Sequence, residues 1–570
     1  MHFYCYSAID ESSIATSLGE PDYSYYFVLK AYQPLLDALG TWEIVAALDD
    51  SFAEAWQQRV ATGTPCYVLA FAPPHKIPRD LPYRVIPVFA WEYSTLPSKD
   101  VLGEEADCWV SALAHFGTAI CHSTFARDVV LHDVGPQVAI ESIPAPLWDS
   151  CAPVRERLTE RRAIKARRLA FSATVIDTQE FNLSAETLFP REGVLCPLTL
   201  SASGQAPVRS VAIDIGKGAA DVMTVGLHPP EGWGAWTRAD NPWVLLPGTL
   251  SGRVRLTVAM MGFGPNEGRE ILLHVGDRQV PLVAGADMQE HQVEIEITSP
   301  TNFLRFSNID HSQQAGGDDT RVLGIGLGAI GVEQLSETDE GTVNTVTPRE
   351  VDLDGVVYTS IFNPRDGRKN WEDMLTAFCY AFRAEPKATL ILKMTCKSAS
   401  EYLDDLFDML CQLHPFDCRV VILHGFLESE EFSALLETTS YVVNASRGEG
   451  QCLPLMEFMS SGIPAIAPVN TAMADYVTPQ SAFIVDSTPE PTFWPHENSQ
   501  LLTTWWHRPS WESLFNAYLE SYRIGRNDAE SYTRMASSAA GALHQYCSIE
   551  VLAARMQQFL ASLDAGQDQQ

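Results

Sequence analysis

The sequence is short of positive charge, of paired cysteines and of long apolar runs, and each shortage excludes a class of protein. Lysine and arginine number 39 against 72 aspartates and glutamates, a net charge of −33. A surface that acidic repels polyanions, so no nucleic-acid partner is expected, and any phosphate must be held by a local arrangement. The twelve cysteines, from Cys5 to Cys547, form no CxxC pair and keep no regular spacing. That suits free thiols in a reducing cytoplasm rather than a disulfide framework or a zinc site. No apolar run reaches the ~18 residues of a membrane span. "MHFYCYSAIDESS" has no basic stretch leading into an apolar core, so no secretory signal is expected.

What remains is a long chain with a globular balance. At 570 residues and 46% hydrophobic content it is too large for one ordinary core, and three or four domains are expected. Residues 1–150 alternate short apolar runs with helical patterns, as in "HFYCYSAI", "YFVLKAYQPLLDALG" and "WEIVAAL". That rhythm predicts a Rossmann-like parallel α/β domain. Residues 151–168 form a basic linker, "VRERLTERRAIKARR" within it being the one dense positive stretch. It reads as a solvated helix, or as a peripheral membrane contact through 154–168. From 169 to 335 the texture changes to short strands broken by Gly and Pro, which predicts an inserted, jelly-roll-like β-sandwich. "VVYTSIFN", "ATLILKMT" and "RVVILHG" restore the βα rhythm in a second Rossmann-like domain, 350–510. Helices are expected over 511–570. Two α/β domains facing each other leave a cleft, the natural place for a ligand.

Two motifs are set aside. "GLGAIG", Gly326 to Gly331, has dinucleotide-site spacing, but no helix pattern follows to meet a pyrophosphate. Its glycines are read as structural, in a closing strand of the sandwich. Asp352 and Asp354 make a DxD of the kind that holds a diphosphate through a divalent cation. They follow polar linker instead of an apolar strand, so no metal is expected.

The informative stretch is "SRGEGQCLPLMEFMSSGIPAIAP", Ser446 to Pro468. "YVVNAS" before it is a strand, "RGEGQC" a glycine-flanked turn and "LPLMEFMSSG" a helix, with Pro454 in its first turn. A strand, a turn and a helix N-terminus present the N–H groups of Gly450, Gln451, Cys452 and Leu453 to an anion. Glu449 lies in the turn and Glu457 one helical turn in, facing the cleft if Leu455 and Phe458 pack inward. A carboxylate repels phosphate, so these two are suited to accepting hydrogen bonds from hydroxyls. A sugar nucleotide offers both groups. About eighty residues earlier, Arg365, Arg368 and Lys369 lie between a strand and the next helix, placed to clamp a diphosphate.

These segments resemble the donor site of retaining glycosyltransferases of the GT-B fold, family 4. "FNPRDGRKNWEDMLTAF" is similar to that family's upstream phosphate motif and "ILHGFLESEEFSALLETTSYVVNAS" to its intervening segment. The resemblance implies that Glu449 contacts the transferred sugar's hydroxyls, Glu457 the ribose diol and Lys369 the diphosphate. It also implies that Gly425 and Phe426 border the base. Two departures stand out. Asn363 or Pro364 occupies the place of the family's usual arginine, and the first loop, 18–26, has a single glycine. Glu92, at the end of "FAWEYSTLP", is the N-terminal candidate for the catalytic side, ahead of His115 and His122.

The expected protein is thus a cytoplasmic hexosyltransferase-type enzyme, free or peripheral at the inner face of the membrane. It would move a sugar from a UDP- or GDP-linked donor to a glycan or lipid-linked acceptor in surface polysaccharide synthesis. Trp233 and Trp236 of the sandwich resemble the sugar-stacking aromatics of carbohydrate-binding modules. The alternatives are a nucleotide-sugar epimerase of the same fold and a non-catalytic glycan-binding protein with a relic transferase fold.

Overall fold

The first sheet has six parallel strands, in the spatial order Thr41–Val45, His2–Ser7, Cys66–Phe71, Val85–Phe89, Thr118–Cys121, Ala139–Ser142. Parallel neighbours need crossover connections, and the helices between them supply these. Tyr23–Leu39 buries Val28, Leu29, Tyr32, Leu35 and Leu36. Thr124–Asp133 starts at Ser123, whose hydroxyl accepts the Ala126 N–H at 3.1 Å. The computed structural model describes residues 1–9, 23–98, 108–160, 167–171, 174–191, 195–196, 209–217, 223–335, 349–397, 402–495 and 500–567. Most of the first loop, 18–26, lies outside these, as does 161–166 of the basic linker.

The second α/β unit is a seven-stranded sheet. Its order is Ala482–Val485, Ala465–Pro468, Tyr441–Val443, Val356–Phe362, Ala388–Met394, Arg419–His424, Thr174–Asp177. The last of these corrects the sequence reading. Thr174–Asp177, expected inside the sandwich, is an antiparallel edge strand of this sheet. Its neighbour Arg167–Phe171, expected as the end of the linker and the start of the sandwich, pairs antiparallel with Arg349–Leu353. Short apolar strands look alike in sequence whichever sheet they join, so the boundary was not readable locally. Three of the basic residues nearby make contacts within the protein. Arg157 pairs with Glu437 and Arg168 with Asp352, while the Arg155 guanidinium lies 3.9 Å from the Trp148 ring centroid.

The β-region between is built on two long strands, Trp243–Gly262 and Gln289–Ser307, paired antiparallel. The sequence suggested four shorter strands. Pro247–Gly248 and Pro300, taken as turns, instead fall where the ladder shifts register between Leu245 and Gly252, and the strands bend there without ending. Ile325–Gln334 lies between Ser210–Asp214 and Trp243–Gly262, an interior place instead of a closing one. Asp319–Val322 does not extend it but pairs with Gln314–Gly316 in a separate hairpin.

The β-region is bonded to the second α/β unit. Buried Trp243 and Phe303 share an apolar cluster with Phe181, Phe407 and Leu410. The C-terminal helices then tie the two α/β units together. Leu552, Met556 and Leu560 of Ile549–Gln567 are buried in the first unit's core with Leu35 and Leu36. Tyr546 donates to the His122 carbonyl (2.8 Å) and Arg555 to that of Ser142 (2.8 Å). Among the described residues, no helix is long and apolar enough to cross a membrane.

Candidate active site

The Ser446–Pro468 stretch folds as its pattern suggests. Strand Tyr441–Val443 ends at the carboxyl edge of the second sheet, and helix Leu453–Ser460 leaves from it. Leu455, Met456, Phe458 and Met459 are buried, which fixes the helix against the core. Its first N–H groups have no intrahelical acceptor. Cys452 caps it with φ at 65°, a left-handed conformation that costs a side-chain-bearing residue about 1–2 kcal/mol. Thr471 (φ 46°) and Asn370 (φ 53°) share this strain. Three of the five non-glycine residues with positive φ among those described therefore adjoin one turn. Such clustering marks functional sites.

At the centre is Glu449, its side chain only 4% exposed. Lys369 Nζ donates to both carboxylate oxygens, at 2.8 and 2.9 Å. Ser446 Oγ donates at 2.5 Å and Asn444 Nδ2 at 3.3 Å. Arg368 Nη1 lies 3.4 Å away and also donates to the Gly448 carbonyl at 2.5 Å. Burial works against the carboxylate's charge, but Lys369 and Arg368 more than reverse it, holding the group down at about 2. Thr471 secures the backbone, its hydroxyl accepting the Glu449 N–H at 2.8 Å. Gln451 is buried, and neither atom of its side-chain amide has a hydrogen-bond partner among the described residues. Buried polar groups are nearly always paired, so an unmet amide in this turn needs an explanation.

The first α/β unit reaches the same place. Glu92 Oε1 lies 3.3 Å from Arg368 Nη2, and Asp366 takes that guanidinium at 2.8 Å. Burial raises the Glu92 carboxyl; Arg368 opposes the rise, while Asp366 and Glu449 add to it. Glycine is required where the units touch. A Cβ on Gly450 would come within 2.8 Å of the Ala90 side chain, and one on Gly448 within 3.1 Å of the Glu92 carbonyl.

The structure thus brings Glu449, Lys369, Arg368, Glu92 and the 450–453 turn together. Arg365 sits on the exposed side of its turn. Glu457 is half-buried, and its carboxylate makes no hydrogen bond or ion pair among the described residues. It lies near the Cys151 thiol, and burial pushes it up to about 8. Gly425 and Phe426 follow Arg419–His424 at the same sheet edge, with one strand separating that strand from Val356–Phe362. His122 is fully buried, and burial pushes it down to about 4. Asp352 and Asp354 are taken by Arg168 and Lys387. Sequence reasoning missed Asn370, Asn444, Ser446 and Thr471. Only Asn370 carried a signal, an asparagine's tolerance of the left-handed backbone it adopts.

In the β-region Trp233 is 36% exposed and Trp236 half-buried, with ring centroids 5.2 Å apart. The Trp233 ring lies over Gly326, where an added Cβ would come within 2.9 Å of it. That glycine of "GLGAIG" makes room for an indole. Trp243 is buried and donates to the Leu188 carbonyl at 2.5 Å.

A family model described as a domain of unknown function, DUF7024, matches residues 213–334, the β-region. No curated protein matches the chain. Among solved structures, HepE of Anabaena in complex with UDP and glucose is similar at 15% identity, over 37% of this chain and 49% of that one, with a TM-score of 0.28. Sucrose-phosphate synthase of Thermosynechococcus elongatus is similar at 17% identity, over 37% and 46%, with a TM-score of 0.28. The C-terminal domain of LpcC, a group 1 family glycosyl transferase of Francisella tularensis, is similar at 15% identity, over 35% and 89%, with a TM-score of 0.25. The chain spans less than half the length of the first two.

Proposed function

We propose that the protein is a retaining glycosyltransferase that uses a nucleoside-diphosphate sugar, linked to UDP or GDP, at the 448–453 turn. The observation that carries this is the buried Glu449–Lys369 pair beside a helix N-terminus. It sets a hydroxyl acceptor and a cation beside the first N–H groups of that helix. In this reading Glu449 orients the transferred sugar, and Lys369 with the 453 helix end neutralises the departing diphosphate. Glu457 and the 425–426 segment face the ribose and base. No protein nucleophile is needed if the acceptor attacks on the leaving-group face and a phosphate oxygen takes its proton. The unmet amide of Gln451 is a further group for the donor to satisfy. A glycan or lipid-linked acceptor would enter from the Glu92 side. No divalent ion is required in this scheme, so turnover should persist in EDTA.

The test is thermal shift with UDP, GDP, ADP and the corresponding sugar nucleotides. A ligand at a hundred times its Kd stabilises by about 2.7 kcal/mol, which reads as a clear rise in Tm. Stabilisation by oligosaccharides and by no nucleotide would overturn the proposal. That outcome would favour the second reading, a glycan-binding protein. The observation behind it is the exposed Trp233 indole, bordered by Glu231, which accepts its N–H at 2.9 Å and pairs with Arg321. An aromatic face flanked by charged hydrogen-bonding groups suits a sugar ring.

A further inference from the structure

Three carboxylates, Glu92, Asp366 and Glu449, converge on two cations, Arg368 and Lys369. With all three ionised, the cluster holds one negative charge in excess before any diphosphate arrives. A diphosphate adds about two more within a few ångströms, where repulsion is screened far less than in water. One carboxylate has to give way.

The geometry identifies which. Glu449 is locked by Lys369, Ser446 and Asn444. Asp366 belongs to the arginine's own turn and accepts the Arg368 backbone N–H at 3.2 Å, so it travels with its partner. Glu92 is the only one of the three carried by the other α/β unit, and its contact with the guanidinium, 3.3 Å, is longer than the 2.8 Å of Asp366. Its segment is pinned just beyond. Ser94 exchanges hydrogen bonds with Trp505, its N–H donating to the Trp505 carbonyl (3.4 Å) and its hydroxyl accepting the Trp505 N–H (3.0 Å). The Thr95 carbonyl accepts the Trp494 indole N–H at 3.1 Å. Glu92 thus sits beside an anchored stretch of loop, so its displacement calls on the side chain and not on the loop.

We propose that Glu92 is a placeholder for the donor's diphosphate: its carboxylate occupies Arg368 in the empty cleft and leaves when the diphosphate binds, so Glu92 sets donor affinity. This rests on the reading of the site as a nucleoside-diphosphate site. It gives Glu92 a role distinct from that of a base, because a base acts on the chemical step and a placeholder acts on binding. It also explains why an acid from the first unit lies on Arg368 when Lys369 is already paired to Glu449.

The experiment is calorimetric titration of wild type and Glu92→Gln with UDP, GDP and ADP, together with the matching monophosphates and nucleosides. The expected result is that the preferred diphosphate binds about tenfold tighter to the variant, the monophosphate gains less and the nucleoside is unchanged. An unchanged or weaker diphosphate Kd in Glu92→Gln overturns the placeholder role and leaves the site reading standing. Should Glu92→Gln fold poorly, Glu92→Ala reads the same contrast. Absence of nucleotide binding to both proteins overturns the site reading itself, and the placeholder with it.

Discussion

The two parallel sheets are built alike, yet their carboxyl edges carry different chemistry. The second sheet's edge holds the Lys369–Glu449 pair, Arg368 and three strained residues, Asn370, Cys452 and Thr471. The first sheet's edge offers Glu92 and a histidine, His122, sealed in its neutral form under Tyr32. A shared architecture therefore does not share out function. Backbone strain and the Glu449 ion pairs are concentrated on one edge, and the other, Glu92 apart, is packed as core.

Substitutions can break that contrast. Glu449→Gln keeps the volume but removes the charge that Lys369 and Arg368 face. Turnover should fall by about a thousandfold, with nucleotide Kd within a few-fold, as read by initial rates and calorimetry. Equal turnover would remove Glu449 from the site. Lys369→Met takes away a charge-assisted hydrogen bond worth about 1.5–3 kcal/mol, so nucleoside-diphosphate affinity should drop about ten- to a hundredfold. A loss no larger for the diphosphate than for the nucleoside would place Lys369 elsewhere.

Acid sharpens the comparison, because the Glu449 carboxyl is held below its ordinary 4.5, at about 2. Its contribution is present above pH 4.5 and is lost as pH falls towards 2, roughly 3 kcal/mol in all. Urea unfolding between those pH values should show a steeper loss in wild type than in Glu449→Gln. His122 acts at a different pH. Its folded value, about 4, is below 6.5, so stability is present above pH 6.5 and declines as pH falls towards 4. The smallest functional effect is therefore expected for His122→Leu. It should flatten the 6.5-to-4 decline while leaving nucleotide affinity as it was; a changed affinity would join the two edges.

Much of this edge was legible because its determinants are local. The glycines, Glu449 and Pro454 lie within ten residues, and helix Leu453–Ser460 starts where they say. Arg368 and Glu92 were legible as residue types and not as a pair. They are far apart in the chain, and only the packing of residues 90–92 against Gly448 and Gly450 brings them together. Thr471 gave no signal, since a β-branched residue normally avoids left-handed backbone. In the β-region, proline and glycine read as strand ends when they bend a continuous strand.

The stem formed by Arg167–Phe171 and Arg349–Leu353, with Thr174–Asp177 on the edge of the second sheet, has a mechanical consequence. Arg419 grips Asp177, Arg238 pairs with Asp408 at 2.7 Å, and Trp243 is wedged in the same core as Phe407. The β-region follows the first unit in the chain but is geared to the second. The β-region, and Trp233 with it, is thereby fastened to the half that carries Glu449.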